Sequence, residues 1–188
     1  MLTTQFRCFP VTILRGIIHS ISQWAEHKSS WLVLFATSLA LEIAALYFQY
    51  GMGLKPCIMC IYQRTAMYGI VLSALIVVIK NNGFTRMLGF AGWAVSAGWG
   101  FLIAKEHVGI LNAANPFFAS CEIVPNFPSW LQLHEWLPAV FAAEGDCLED
   151  SWQFLSMGMA EWMQIIFAAY FAVFAIVFAC RLLDKKPF

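Results

Sequence analysis

The chain has 188 residues, of which 61% are hydrophobic and 12% charged, and its eleven basic and eleven acidic side chains balance to a formal charge of zero. That is too apolar for a soluble domain of this length, and a neutral chain offers no electrostatic footprint for nucleic acid. Six cysteines spread over a chain this long do not make a small disulfide-stapled scaffold.

Residues 1–30 hold no long apolar run, so a cleaved secretory signal is not expected there. Val11, Leu14, Ile17, Ile18, Ile21 and Trp24 recur at helical spacing, with Arg15, His19, Gln23 and Glu26 elsewhere on the wheel. This pattern predicts an amphipathic helix lying on a membrane surface, with a frayed leader as the plainer alternative. Cys8 has no evident role. Residues 31–50 form a first run long enough to cross about 30 Å of hydrocarbon. It contains one acid, Glu42. An acid inside a span is costly, so Glu42 is either functional, or neutral and hydrogen-bonded between helices.

The second span covers 61–79 and is introduced by KPCIMCIYQR at 55–64. Pro56 cannot continue a helix from upstream but suits a helix start, which puts Cys57 and Cys60 on the first turn or just before it. The free N–H groups there favour a thiolate. Arg64 follows Cys60 by four residues on the same face, and its guanidinium is expected to reach back toward the sulfur and the interface. A short polar turn at 80–83 closes the span. The third span, 87–104, is free of charge and rich in Gly and Ala, as close helix packing in lipid allows.

Residues 105–161 read as a long polar-aromatic loop, and a fourth span follows at about 162–180. Within the loop, Trp152, Phe154, Leu155, Met157, Met159 and Trp162 suggest an interfacial amphipathic segment rather than a cofactor site. Cys180, near the end of the fourth span, reads as a small hydrophobe. The expected fold is an all-α membrane protein: a four-transmembrane-helix bundle with two outward loops, the second long and containing a short interfacial helix. Residues 1–30 would be a separate N-terminal segment and 31–188 the membrane domain. Eight of the eleven basic residues fall on the side of the two termini and only Lys55, Arg64 and Lys105 on the other. Both termini are therefore expected in the cytoplasm, and the CxxC and long loop in the periplasm of a bacterial inner membrane, where disulfides persist.

A CxxC alone is a weak signal, shared by zinc, haem and redox sites. Ile61 stands where haem attachment would need a histidine. Zinc would want a second close pair, but Cys121 and Cys147 are 26 residues apart, so no metal is expected. Two structural disulfides are a further alternative, weakened because a CxxC bridge closes too small a loop to restrict the unfolded chain much. A second cysteine pair in a loop facing a CxxC at the lipid surface fits electron relay better. Cys121 sits in NPFFASCEIVPNFP, where flanking prolines favour an extended backbone and Phe117 and Phe118 offer apolar anchors to a partner's groove. Around Cys147, the acids Glu144, Asp146, Glu149 and Asp150 disfavour a thiolate and make that sulfur a poor leaving group. Electrostatics would thus direct a partner's attack to Cys147, and accessibility of the Phe-Phe segment to Cys121.

LKPCIMCIYQR, the Glu106-His107 pair after the third span, PFFASC, and GDC 26 residues beyond that cysteine together resemble the DsbB family of inner-membrane thiol–quinone oxidoreductases. The resemblance covers about residues 31–186. It implies that Cys121 forms the mixed disulfide with a soluble DsbA-like oxidase, with Cys147 as its partner cysteine. Cys57 and Cys60 would be the pair re-oxidised by ubiquinone or menaquinone, with Cys60 the thiolate nearest the ring and Arg64 and His107 beside it. The implied activity is protein-dithiol:quinone oxidoreduction. The rivals are a paralogue dedicated to one thioredoxin-like partner and a non-enzymatic membrane subunit with passive disulfides.

Overall fold

The computed structural model describes residues 9–113, 124–148 and 152–184. The elements run α1 (Phe9–Trp24), α2 (Lys28–Tyr50), α3 (Ile58–Ile79), α4 (Gly83–Leu111), α5 (Leu133–Trp136), α6 (Pro138–Phe141), β1 (Gln153–Phe154), β2 (Met157–Gly158) and α7 (Met159–Leu183). Helices α2, α3, α4 and α7 are each long and apolar enough to cross a membrane. The chain is a four-span helical membrane protein.

The helices outrun the apolar segments that predict them because polar residues at their ends are good caps. Asn82 accepts the Thr85 N–H at 2.8 Å, and Thr85 Oγ1 accepts the Asn82 N–H at 3.1 Å. This capping box starts α4 four residues before its apolar run. At the far end α4 continues through Lys105 and Glu106, both exposed and both good helix formers. That extension of about two turns, to Leu111, carries His107 into the bundle.

Helix α2 packs on α3, α3 on α4, and α4 on α7, while α1 lies against α7. The core joins Trp31, Met67, Ile70, Val77, Phe90, Trp93 and Phe167, with Ala66, Ala74, Ala97 and Ala104 letting the backbones approach. Gly92 shows how close: a Cβ there would run into the Ser73 hydroxyl of α3. Leu72, Val95, Leu102 and Ile176 are exposed on the outside, as a lipid-facing surface requires.

At one end of the bundle α1 is tied under α7. Arg181, 1% exposed, donates to the Ser22 carbonyl at 3.1 Å and lies 3.5 Å from Glu26. His19 pairs with Asp184 at 3.1 Å, and Asn81 donates to the Glu26 carbonyl at 2.8 Å. Ser22 in this helix and Ala25 just after it are buried, whereas Ile17 and Trp24 stay exposed. Of the expected apolar stripe, Ile21 packs against the core and Ile18 is half-buried, so only part of that face is turned outward. The side chains of Val11 and Leu14 lie outside the description.

The second loop differs from expectation in one respect. Its short helices are α5 and α6, and the aromatic segment before α7 is a hairpin, with Gln153 paired to Gly158 and Phe154 to Met157. Leu155 and Ser156 turn it with φ of 52° and 62°. Stacking of Trp152 on Phe154, contact of Phe154 with Trp162, and a 3.0 Å bond from Trp162 Nε1 to the Phe154 carbonyl hold it against α7.

Candidate active site

The site forms at the end of the bundle opposite Arg181. After Pro56, Cys57 takes the N-cap position of α3 with φ −79° and ψ 173°. Its sulfur accepts the Cys60 N–H at 3.4 Å, where a serine or aspartate oxygen usually caps. The cap brings the two sulfurs to 3.0 Å, and both thiols are free. His107, 5% exposed, places Nε2 at 3.7 Å from the Cys57 sulfur, and Gln63 Nε2 stands 3.3 Å from its Nδ1. A Gln63 amide donating to Nδ1 leaves Nε2 as the N–H that faces Cys57.

These contacts lower the Cys57 thiol to about 5, chiefly through the hydrogen bond from Cys60. Burial opposes the shift, while the bond and charge of His107 and the Cys60 N–H reinforce it. The hydrogen bonds of the reduced pair therefore converge on Cys57. Both sulfurs line one cavity.

That cavity, about 350 Å³, lies between α2, α3 and α7 under Trp152 and Phe154 of the hairpin. Leu41, Ala45, Phe48, Met67, Met163 and Ile166 wall it, and Glu42, Gln49, Gln63, Arg64 and His107 converge on it. Its volume and lining match an amphipathic small-molecule site. Arg64, 6% exposed, does not turn back to the sulfur as expected. Its Nη1 donates to Gln49 Oε1 at 2.8 Å and to the Val140 carbonyl of α6, and its Nε lies 3.9 Å from Glu42 Oε2. Nearer acceptors on α2 and the loop outcompete a sulfur one turn away. Arg64 Nε and Glu42 Oε2, both buried on this cavity, make no hydrogen bond.

The second loop is strapped over the CxxC. Glu144 and Gly145 both donate to the Pro56 carbonyl, at 2.9 and 3.0 Å. Gly145 rests on the Lys55 carbonyl so closely that a Cβ would collide with it. The strap seats Cys147, 1% exposed and disulfide-bonded, in one buried cluster with Cys57, Ile58, Met59 and Ile103. Cys121, Cys8, Glu149 and Asp150 lie outside the described residues. Cys180 is buried and free in α7, toward the opposite end.

Sequence reasoning missed Gln49, Gln63 and the hairpin aromatics as cavity residues. Gln63 carried a usable signal, since two adjacent polar residues, Gln63 and Arg64, interrupt an apolar span.

Over residues 27–177 the chain matches the family described as disulfide bond formation protein DsbB. The chain belongs to that family. It is 53% identical over 166 residues to a disulfide bond formation protein B of Pseudoalteromonas atlantica, covering 88% of this chain and 97% of the relative. The protein of the same name from Psychromonas ingrahamii is 46% identical over 179 residues, 95% and 92% of the two chains. That of Pseudoalteromonas translucida is 44% identical over 167 residues, 88% and 97%. As a DsbB-family member the chain is a membrane oxidoreductase that acts in disulfide formation.

Proposed function

We propose that the chain re-oxidises a periplasmic DsbA-like dithiol protein and passes the electrons through Cys121–Cys147 and then Cys57–Cys60 to membrane quinone, ubiquinone or menaquinone. The observation that carries this reading is the seating of Cys147 beside Cys57 in a buried cluster that adjoins an apolar-walled cavity. The eight-to-three split of basic residues supports cytoplasmic termini and periplasmic cysteine pairs. Residues 1–30 then serve as a cytoplasmic surface segment for the membrane domain 31–188.

Cys147 is 1% exposed, so a partner's thiolate has no path to it. Attack falls on Cys121, forming the mixed disulfide there and expelling the Cys147 thiolate. The partner's second thiol resolves that bond and leaves as the oxidised protein. The Cys147 thiolate attacks the Cys57 sulfur of the oxidised CxxC, and the Cys57–Cys60 bond breaks with Cys60 as leaving thiolate. Cys121 then displaces Cys57 from Cys147, which restores the loop disulfide and leaves the CxxC carrying two electrons. His107 Nε2–H and the Cys60 N–H stabilise the Cys57 thiolate so formed.

Membrane quinone supplies a lipid-soluble acceptor of two electrons and two protons. The chain's contribution is an apolar-walled cavity, the Arg64 guanidinium whose Nε–H makes no hydrogen bond within the protein, and two sulfurs at the wall. The relay order is tested with Cys121→Ser. That variant should fail to oxidise the soluble dithiol while its reduced CxxC still bleaches added ubiquinone. Failure of both reactions overturns the order.

A further inference from the structure

We propose that Cys57, Cys60 and His107 form a three-ligand site for a thiophilic divalent cation, with Zn²⁺ the reference case, filled only while the pair is in the dithiol state. The two sulfurs and the imidazole nitrogen lie within 4.8 Å of one another. A tetrahedral ion with Zn–S near 2.3 Å and Zn–N near 2.0–2.1 Å sets sulfur and nitrogen ligands about 3.6 Å apart and two sulfurs about 3.8 Å apart. Cys57 Sγ and His107 Nε2 stand at 3.7 Å, so that pair is already in place. The sulfurs, at 3.0 Å, have only to part by somewhat less than about 1 Å, a modest torsion of one cysteine side chain.

The linear sequence argues against zinc because a second close cysteine pair is missing. His107, fifty residues beyond Cys57, supplies the third ligand through the extension of α4. The fourth position faces the cavity, the arrangement of an exchangeable rather than a closed structural site. Gln63 completes the setting. Ligation through Nε2 moves the imidazole proton to Nδ1, and a turn of the Gln63 amide presents its carbonyl to accept it, as outer-shell partners of metal-bound histidines do.

Binding exchanges thiol protons for the cation and changes no oxidation state. The disulfide form offers no thiolate and releases the ion. A bound cation occupies the electrons that the sulfurs would otherwise pass on, so it holds the pair reduced and stops turnover until a chelator removes it. The inference stands on the ligand atoms themselves and does not depend on which acceptor or soluble partner the chain uses.

The test is a Co²⁺ titration of purified full-length protein, read by thiolate-to-cobalt absorption, with Cys8, Cys121 and Cys147 changed to serine so that no loop thiol competes. The reduced protein should take up one Co²⁺ per chain, displaceable by Zn²⁺, and the oxidised protein none. Gln63→Leu should weaken binding about 10- to 100-fold, and His107→Ala, which removes a ligand outright, by more than that. Cys180→Ser should leave it unchanged. Should the serine background fold poorly, the reduced natural chain and its Cys57→Ser variant are compared instead, and the variant should bind one ion fewer. Absence of a thiolate–cobalt band, equal binding by the oxidised form, or undiminished binding in His107→Ala overturns the site.

Discussion

Replacing Arg64 with methionine separates two jobs that converge on one side chain. The guanidinium donates to Gln49 Oε1 at 2.8 Å and to the Val140 carbonyl, and it faces Glu42 at 3.9 Å with both partners under a tenth exposed. Arg64→Met leaves the buried Glu42 carboxyl without its counter-charge, which costs at most about 3–5 kcal/mol because a stranded carboxyl can take up a proton. In a chain of this size that lowers the melting temperature in detergent by at most about 6–20 °C. Glu42→Gln removes the stranded charge, so the double variant should regain most of the loss. It keeps only the deficit of the two hydrogen bonds to Gln49 and Val140, about 1–3 kcal/mol.

Quinone handling should behave differently. The Arg64 Nε–H is a buried donor on the cavity wall that faces Glu42 but makes no hydrogen bond within the protein. Losing one charge-assisted bond of about 1.5–3 kcal/mol to a carbonyl raises the quinone KM about 10- to 150-fold. No change at Glu42 restores that donor. Thermal unfolding and quinone kinetics measured on Arg64→Met, Glu42→Gln and the double variant decide it. If Glu42→Gln recovers the KM together with the stability, Arg64 acts only as an ion-pair partner. If Arg64→Met melts where the parent does, the buried pair contributes nothing.

Three further outcomes are expected. Because the Cys57 shift is downward, its thiolate persists at neutral pH and is lost only as pH falls through about 5; alkylation of the reduced CxxC, read by mass spectrometry, should show a midpoint near there, and a midpoint near the ordinary thiol value of about 8.5 refutes the assigned contacts. Gly145→Ala pushes the loop strap off the Lys55 carbonyl, so transfer between the two cysteine pairs should slow by about 10²-fold while the reduced CxxC still reacts directly with quinone; equal slowing of both steps contradicts a positioning role. Leu155→Asn with Ser156→Gly suits the two left-handed positions of the hairpin turn and should stabilise the protein by about 1 kcal/mol, seen as a rise in melting temperature of about 2–4 °C.

The parts of the fold that were legible in the sequence are those set by local chemistry. Four spans follow from hydropathy, and Pro56 alone fixes where α3 starts and hence why Cys57 caps it. The place of His107 was legible only through the family resemblance, because the third apolar run stops at Ala104 and only the helix-forming tendency of Lys105 and Glu106 carries α4 onward. The partners of Arg64 were hidden for another reason. They lie on α2 and on a loop backbone, and sequence spacing along α3 measures only the distance to Cys60. The hairpin did leave a trace, since Trp152 and Phe154 alternate with Gln153. Its turn residues, Leu155 and Ser156, lack the glycine or asparagine that normally marks such a turn, and so the aromatic run read only as an interfacial amphipathic segment.

Turnover with a soluble quinone bears most directly on the proposed chemistry. Purified protein in detergent is mixed with a reduced DsbA-like dithiol protein and a short-chain ubiquinone, and quinone absorbance and free thiols are followed together. Electron relay predicts catalytic loss of quinone, one for each dithiol oxidised, with Cys60→Ser silent. If dithiol oxidation stops after the protein's own disulfides are consumed and the quinone is untouched, the cysteine pairs are passive and the oxidoreductase mechanism fails.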